Sequence, residues 1–192
     1  MSVYSKVYDS YAQAESAVRD LESAGIPSDD ISLVANKHVS DQYADVSDAS
    51  ATSTGAGFGA AAGGGAGLLA GLGLLAIPGL GPVVAAGWFA ATAIGAAAGA
   101  ATGGVIGSLV DAGTSEPDAH VYSEAVRRGG TMLNVRTEAA STPEIETILA
   151  RHQPIDPVTR RQDYEQTGWR EFDPAAEPYT PSQAELDRIR RR

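Results

Sequence analysis

Two runs decide how the chain is read: GAGFGAAAGGGAGLLAGLGLLAI at residues 55–77 and VVAAGWFAATAIGAAAGAATGGVIGSLV at residues 83–110. Both lie in a segment from Ala49 to Val110 that contains no charged residue. Small residues recur at every fourth position: Gly55, Gly59, Gly63, Gly67 and Gly71, then Gly87, Ala91, Gly95, Gly99, Gly103 and Gly107. Residues four apart share one face of an α-helix. Each run therefore predicts a helix with a smooth groove along which another backbone can pack, the small-xxx-small arrangement of membrane helices. Glycine costs a helix in water about 1 kcal/mol per residue relative to alanine, so such helices need lipid, a packed partner, or both. The expected element is a glycine-zipper hairpin over 55–110, turning at Ile77-Pro78-Gly79-Leu80-Gly81-Pro82.

The length of the runs permits membrane insertion. The first, at about 35 Å as a helix, exceeds a hydrocarbon core of about 30 Å, and the second is longer. Phe58 and the Leu and Ile residues from Leu68 to Ile77 supply roughly −2 to −4 kcal/mol of insertion energy, which the glycines oppose. Bulky side chains crowd the turn, and the base is almost pure Ala and Gly. A spanning hairpin and a dipping one both fit this distribution. So does a soluble oligomer whose hairpins bury one another, provided the Leu-rich apex is covered. Thr92, Thr102 and Ser108 are the hairpin's only hydroxyls, too few to line a pore.

Outward from the insert the chain reads as a small α/β domain. Val3 to Tyr8 predicts a strand, and Ser10 with Gln13 a capping box. The helix that follows buries Ala14, Ala17, Val18 and Leu21 and stops at Gly25. Ile31 to Ala35 gives a second strand. On the far side, Asp118 to Arg128 predicts a helix, Thr131 to Thr137 a strand, Thr142-Pro143 the start of another helix, and Ile155 to Val158 a closing strand. The expected fold class is α+β: a ferredoxin-like sandwich interrupted by the hairpin. Its parts are 1–36 (first half), 37–54 (acidic linker), 55–110 (hairpin) and 114–158 (second half). A mostly disordered tail, 159–192, follows, with one short helix expected from Thr180.

A net charge of −10 and a pI near 4.6 exclude a general nucleic-acid binder. The absence of cysteine excludes disulfides and thiolate metal sites. No apolar signal region follows Met1, which predicts a cytoplasmic location for the flanks. His38, His120 and His152 lack metal-site spacing. His120 and Glu124 share a helix face as a possible half-site, although that spacing usually marks a solvated pair. Arg127 and Arg128 before Gly129-Gly130 can present cations and free N–H groups to a phosphate or lipid head group. The plainer reading is a helix end whose dipole the arginines complement. The glycine tracts lack the Lys and Ser/Thr of a phosphate loop. No catalytic residue, cofactor or metal is expected, and hence no enzyme.

The Val7-Tyr8-Asp9 start, the glycine-zipper insert and the string His120-Val121-Tyr122-Ser123-Glu124-Ala125-Val126-Arg127-Arg128-Gly129-Gly130 resemble the general stress protein 17M-like group over roughly residues 3 to 158. The resemblance implies a bacterial stress-induced protein with a glycine-zipper segment between the halves of a small α/β domain, and it brings no catalytic residues. The function expected is a non-enzymatic stress protein at the cytoplasmic membrane, domain on the cytoplasmic side, with the lipid bilayer and a second copy of itself as partners. The alternative is a soluble, cytoplasmic ligand-binding or regulatory module that uses the hairpin only for assembly.

Overall fold

The computed structural model describes residues 2–36, 73–77, 81–89, 104–138, 142–173 and 175–176. Strand β1 (Ser2–Tyr8) leads into helix α1 (Tyr11–Ser23). Ser10 caps α1, its Oγ accepting from the Gln13 N–H at 3.3 Å while Gln13 Oε1 accepts from the Ser10 N–H at 3.1 Å. Gly25, at φ +88°, ends the helix, and Ile26 N–H returns to the Leu21 carbonyl. A 3₁₀ turn at Ser28–Asp30 feeds strand β2 (Ile31–Asn36). Strands β3 (Gly73–Ile77) and β4 (Gly81–Ala86) follow, then helices α2 (Gly104–Asp111) and α3 (Glu116–Arg127). Strand β5 (Thr131–Thr137) and helices α4 (Thr142–Arg151) and α5 (Pro157–Glu165) complete the order.

The sheet runs β1-β5-β2-β4-β3, and every neighbouring pair is antiparallel. β5 enters between β1 and β2, so the two strands joined by α1 run parallel to each other with β5 between them. This arrangement makes β5 an interior strand and buries it on both faces, as its Met132, Leu133 and Val135 require. Alternation along the strands then makes two cores. On one face Tyr8, Ile31, Leu33, Leu133 and Val135 meet Ala14, Val18 and Leu21 of α1 and Ile145 and Leu149 of α4. On the other, Val7, Val34 and Met132 meet Val105 and Leu109 of α2, Ala119, Tyr122 and Val126 of α3, and Phe89 and Phe172.

The helical hairpin expected over 55–110 is overturned where it can be compared. Residues 73–77 and 81–86 are strands, and β4 pairs with β2 through Leu33–Ala86 and Asn36–Val83. The four-residue spacing of small residues permits a helix but contributes little toward forming one, because glycine is a poor helix former. The unpaired edge of β2 offered a hydrogen-bond ladder to this chain instead. Gly87 lies outside any helix, at φ +90°, where a Cβ would stand 2.5 Å from the Ile31 carbonyl oxygen. Gly107 does lie in a helix, α2, with open space where its Cβ would be. Gly55, Gly59, Gly63, Gly67, Gly71, Ala91, Gly95, Gly99 and Gly103 lie outside the described residues, as does the acidic linker.

Two further expectations fail. Instead of a closing strand at 155–158, Ile155 donates one backbone hydrogen bond to Val7 O, at 2.7 Å, and Pro157 opens α5. Asp156 caps α5 by accepting from the Thr159 N–H at 2.7 Å, and proline suits the first helical position. The tail read as disordered from 159 is ordered through Phe172, with Tyr164 and Phe172 buried. The final helix expected from Thr180 lies outside the described residues.

Gly87 and Gly25 share a positive φ, but only Gly87 is crowded by backbone, since nothing lies within 4 Å of a Cβ at Gly25. Gly25→Ala should cost about 1 kcal/mol from strain alone. Gly87→Ala should cost about 1–3 kcal/mol more, from the added clash with β2. Urea unfolding of the two variants checks the difference.

Candidate functional site

The richest concentration of charge among the described residues surrounds the C-terminal end of α3. Glu124 is fully buried, and its carboxylate is the acceptor for two arginines on its own helix. Arg127 grips it in a fork, Nε to Oε2 at 2.9 Å and Nη2 to Oε1 at 2.8 Å, and Arg128 Nε donates to Oε1 at 2.6 Å. Spacings of three and four residues place both arginines over Glu124, and cations at this end complement the helix dipole. The Arg128 guanidinium also stacks over the Tyr164 ring, 4.4 Å from its centroid.

From α5, Arg160 reaches Asp9 at 2.8 and 3.0 Å, and Arg161 reaches Asp118 at 3.1 Å. The two pairs fasten the C-terminal segment to the end of β1 and the start of α3. Past the arginines, Gly129 turns the chain at φ +108°. Gly130 passes so close that a Cβ there would stand 2.9 Å from Ala125 O and 3.1 Å from Tyr8 O. The Tyr122-to-Gly130 string is thus accounted for by packing: a buried acid, two arginines that neutralise it, and two glycines that let α3 return directly into β5.

Burial raises the pKa of the neighbouring phenols and keeps them neutral. Tyr122 is pushed up to about 12, first by desolvation and then by the carboxylates of Asp118 and Asp156. Tyr8, whose hydroxyl donates to Leu149 O at 3.0 Å, is raised by burial and by Tyr122. Tyr164 is raised by burial against the opposing effect of Arg160 and Arg128.

The guanidiniums of Arg127 and Arg128, read as an anion contact, face this internal carboxylate. His120 and Glu124 do not act together: Glu124 is taken up by the arginines, and His120 Nδ1 accepts from the Phe172 N–H at 3.1 Å. His152 Nε2 lies 2.9 Å from Asp20 Oδ2 and ties α4 to α1. His38 lies outside the described residues. Asp9, Arg160, Tyr164 and Phe172 were missed by sequence reading, although the recurrent aromatics of a charged, proline-containing tail were a signal of packing. The described residues also line shallow cavities. One of about 420 Å³ lies between α1 and α4, beside Asp20, Glu144 and Arg151. Another, of about 340 Å³, lies between α3 and the segment after α5, beside His120, Arg161 and Trp169.

Residues 4–76 match the heat induced stress protein YflT domain. Over this stretch the chain is similar to that family, the general stress protein 17M-like group. The match covers β1, α1 and β2 and ends within β3, so the Tyr122-to-Gly130 string lies outside it. Comparison with curated proteins and with solved structures returned no match.

Glu124→Gln should destabilise the fold by about 2–4 kcal/mol, because it leaves two arginines around a neutral group. The lower end of the range reflects the 16% and 27% exposure those arginine side chains keep. Arg19→Ala, which breaks the exposed Arg19–Glu15 pair, should cost under about 0.5 kcal/mol. Denaturant titration separates the two. The folded protein keeps Tyr122 neutral to about 12, whereas an unfolded chain ionises it near 10. This stabilisation is complete below pH 10 and is lost as pH rises from 10 through 12. Unfolding curves across that window should show the decline, and phenolate absorbance should report a late-titrating class of tyrosines.

Proposed function

We propose that the chain acts without catalysis, as a membrane-associated stress protein that self-associates through its Gly/Ala-rich insert. The stress role rests on the family. The observation that supports the rest is that the insert starts and ends on a completed domain. β5, from beyond the insert, closes the sheet between β1 and β2, which precede it. Within the insert the β3–β4 hairpin returns to the sheet, dividing the Gly/Ala-rich sequence into a piece before Gly73 and a piece after Phe89. Phe89, Val105 and Leu109, which flank the second piece, all belong to one core cluster. Among the described residues no helix is long and apolar enough to cross a membrane.

Membrane contact in this reading is one-sided. The uncharged segments lie against or dip into the cytoplasmic face of the bilayer, and small-residue faces at Gly55–Gly71 and Ala91–Gly103 provide close packing between copies. We read the β1-α1-β2 unit with β5 between its strands as a ferredoxin-like half whose fourth strand is reduced to the Ile155–Val7 hydrogen bond. A soluble, cytoplasmic oligomeric module that binds a ligand is the second reading, favoured by the cavity between α1 and α4.

The test uses the full chain and a variant carrying Gly63→Leu, Gly67→Leu, Gly99→Leu and Gly103→Leu. Flotation with vesicles of anionic lipid measures membrane contact, and light scattering measures assembly. The wild type should float and form oligomers, and the variant should lose the oligomers. Unchanged oligomer size in the variant removes the zipper from the proposal. A wild type that stays at the bottom of the gradient as a defined oligomer supports the soluble module instead.

A further inference from the structure

The sheet face under α3 carries one row that breaks its apolar pattern. Ser5, Asn134 and Ser32 stand opposite one another across β1, β5 and β2. Two residues along each strand, on the same face, come Val7, Met132 and Val34, which are core residues beneath α3. Asn134 and Ser32 are fully buried. Both side-chain atoms of Asn134, Nδ2 and Oδ1, lack a hydrogen-bond partner, as does Ser5 Oγ.

A third residue with an unpartnered side-chain atom, after Ser5 and Asn134, lies on the helix above. Ser123, fully buried, comes four residues after Ala119 and three before Val126, both of which pack on this face. Its Oγ also has no partner. The turn at Gly129–Gly130 sends β5 back antiparallel beneath α3. Ser123 precedes Val126 by about 4.5 Å along the helix, and Asn134 follows Met132 by about 6.6 Å along the strand. The helix and the strand thus carry Ser123 and Asn134 away from the Gly129–Gly130 turn in the same direction.

Buried amides and hydroxyls without partners are rare in folded proteins, and where they cluster they are normally satisfied by internal water. We propose that the seam between α3 and the sheet is a built water site, in which a pair of ordered waters bridges Asn134 to Ser5 and Ser123. One water accepts from Asn134 Nδ2–H and donates to a serine oxygen. The other donates to Asn134 Oδ1 and accepts from a serine hydroxyl. Each then has partners of the kind an internal water needs. The opposite face of the sheet at this level, built from Ile31, Leu33, Leu133 and Val135, is apolar.

The experiment uses the labelled full chain. Water-to-amide cross-relaxation should show long-lived water at the Asn134 side-chain N–H groups. Oxygen-17 relaxation dispersion should count two fewer long-lived waters in Asn134→Leu than in wild type. Absence of a water signal at Asn134 overturns the proposal. So does an unchanged water count in Asn134→Leu accompanied by a raised thermal midpoint, because a dry seam gains from losing an unpaired amide. If Asn134→Leu does not fold, the Ser5→Ala, Ser123→Ala double variant replaces it; a lower count there supports the site, and an equal count overturns it.

Discussion

Backbone pairing along both edges of β5 is the constraint on which the rest of the molecule depends. The strand comes late in the chain and fits between two strands formed early, so neither half of the sheet is complete without the other. Once Thr131–Thr137 is seated, its alternating side chains define two faces, and each face must be covered. α1 and α4 cover one; α2, α3 and Phe172 cover the other. The direct passage from α3 into β5 is held by Gly130, whose lack of a Cβ lets the turn pass against Ala125 and Tyr8.

The same junction explains why a carboxylate is tolerated inside the protein. Glu124 would be a large desolvation cost alone, and Arg127 and Arg128 neutralise it from one helical turn away. Arg128 extends the contact to Tyr164, and Arg160 carries it on to Asp9. The buried acid thus links helix end, strand and C-terminal segment through ion pairs and one aromatic face. The insert is a separate matter: it is bounded on both sides by this scaffold and meets it again in mid-course through β3 and β4.

Reading from sequence succeeded where local chemistry was decisive. Ser10 and Gln13 announced the start of α1, Gly25 its end, and the alternation of Thr131 to Thr137 the strand β5. It misled where one periodicity served two structures. Gly71 and Gly87 continued a four-residue pattern, yet the bonds that β2 could offer its neighbour decided the state of the residues between them. It also undervalued the tail, because Tyr164 and Phe172 look solvent-facing until a surface exists for them to cover. The site was legible as a string of residues, but the direction of its arginines was not.

By itself the sequence determined the α+β class, the α1 helix and its caps, the strands β1, β2 and β5, the uncharged insert and the resemblance of its first part to a stress-protein family. These follow from patterns within a turn or a strand, or from a stretch of similar sequence. Tertiary structure alone decided that β5 lies between β1 and β2, that residues 73–77 and 81–86 extend the sheet, that Arg127 and Arg128 turn inward on Glu124, and that the segment after Asp156 packs. Each of these depends on groups far apart in the chain, whose hydrogen bonds and burial exist only once the fold has brought them together.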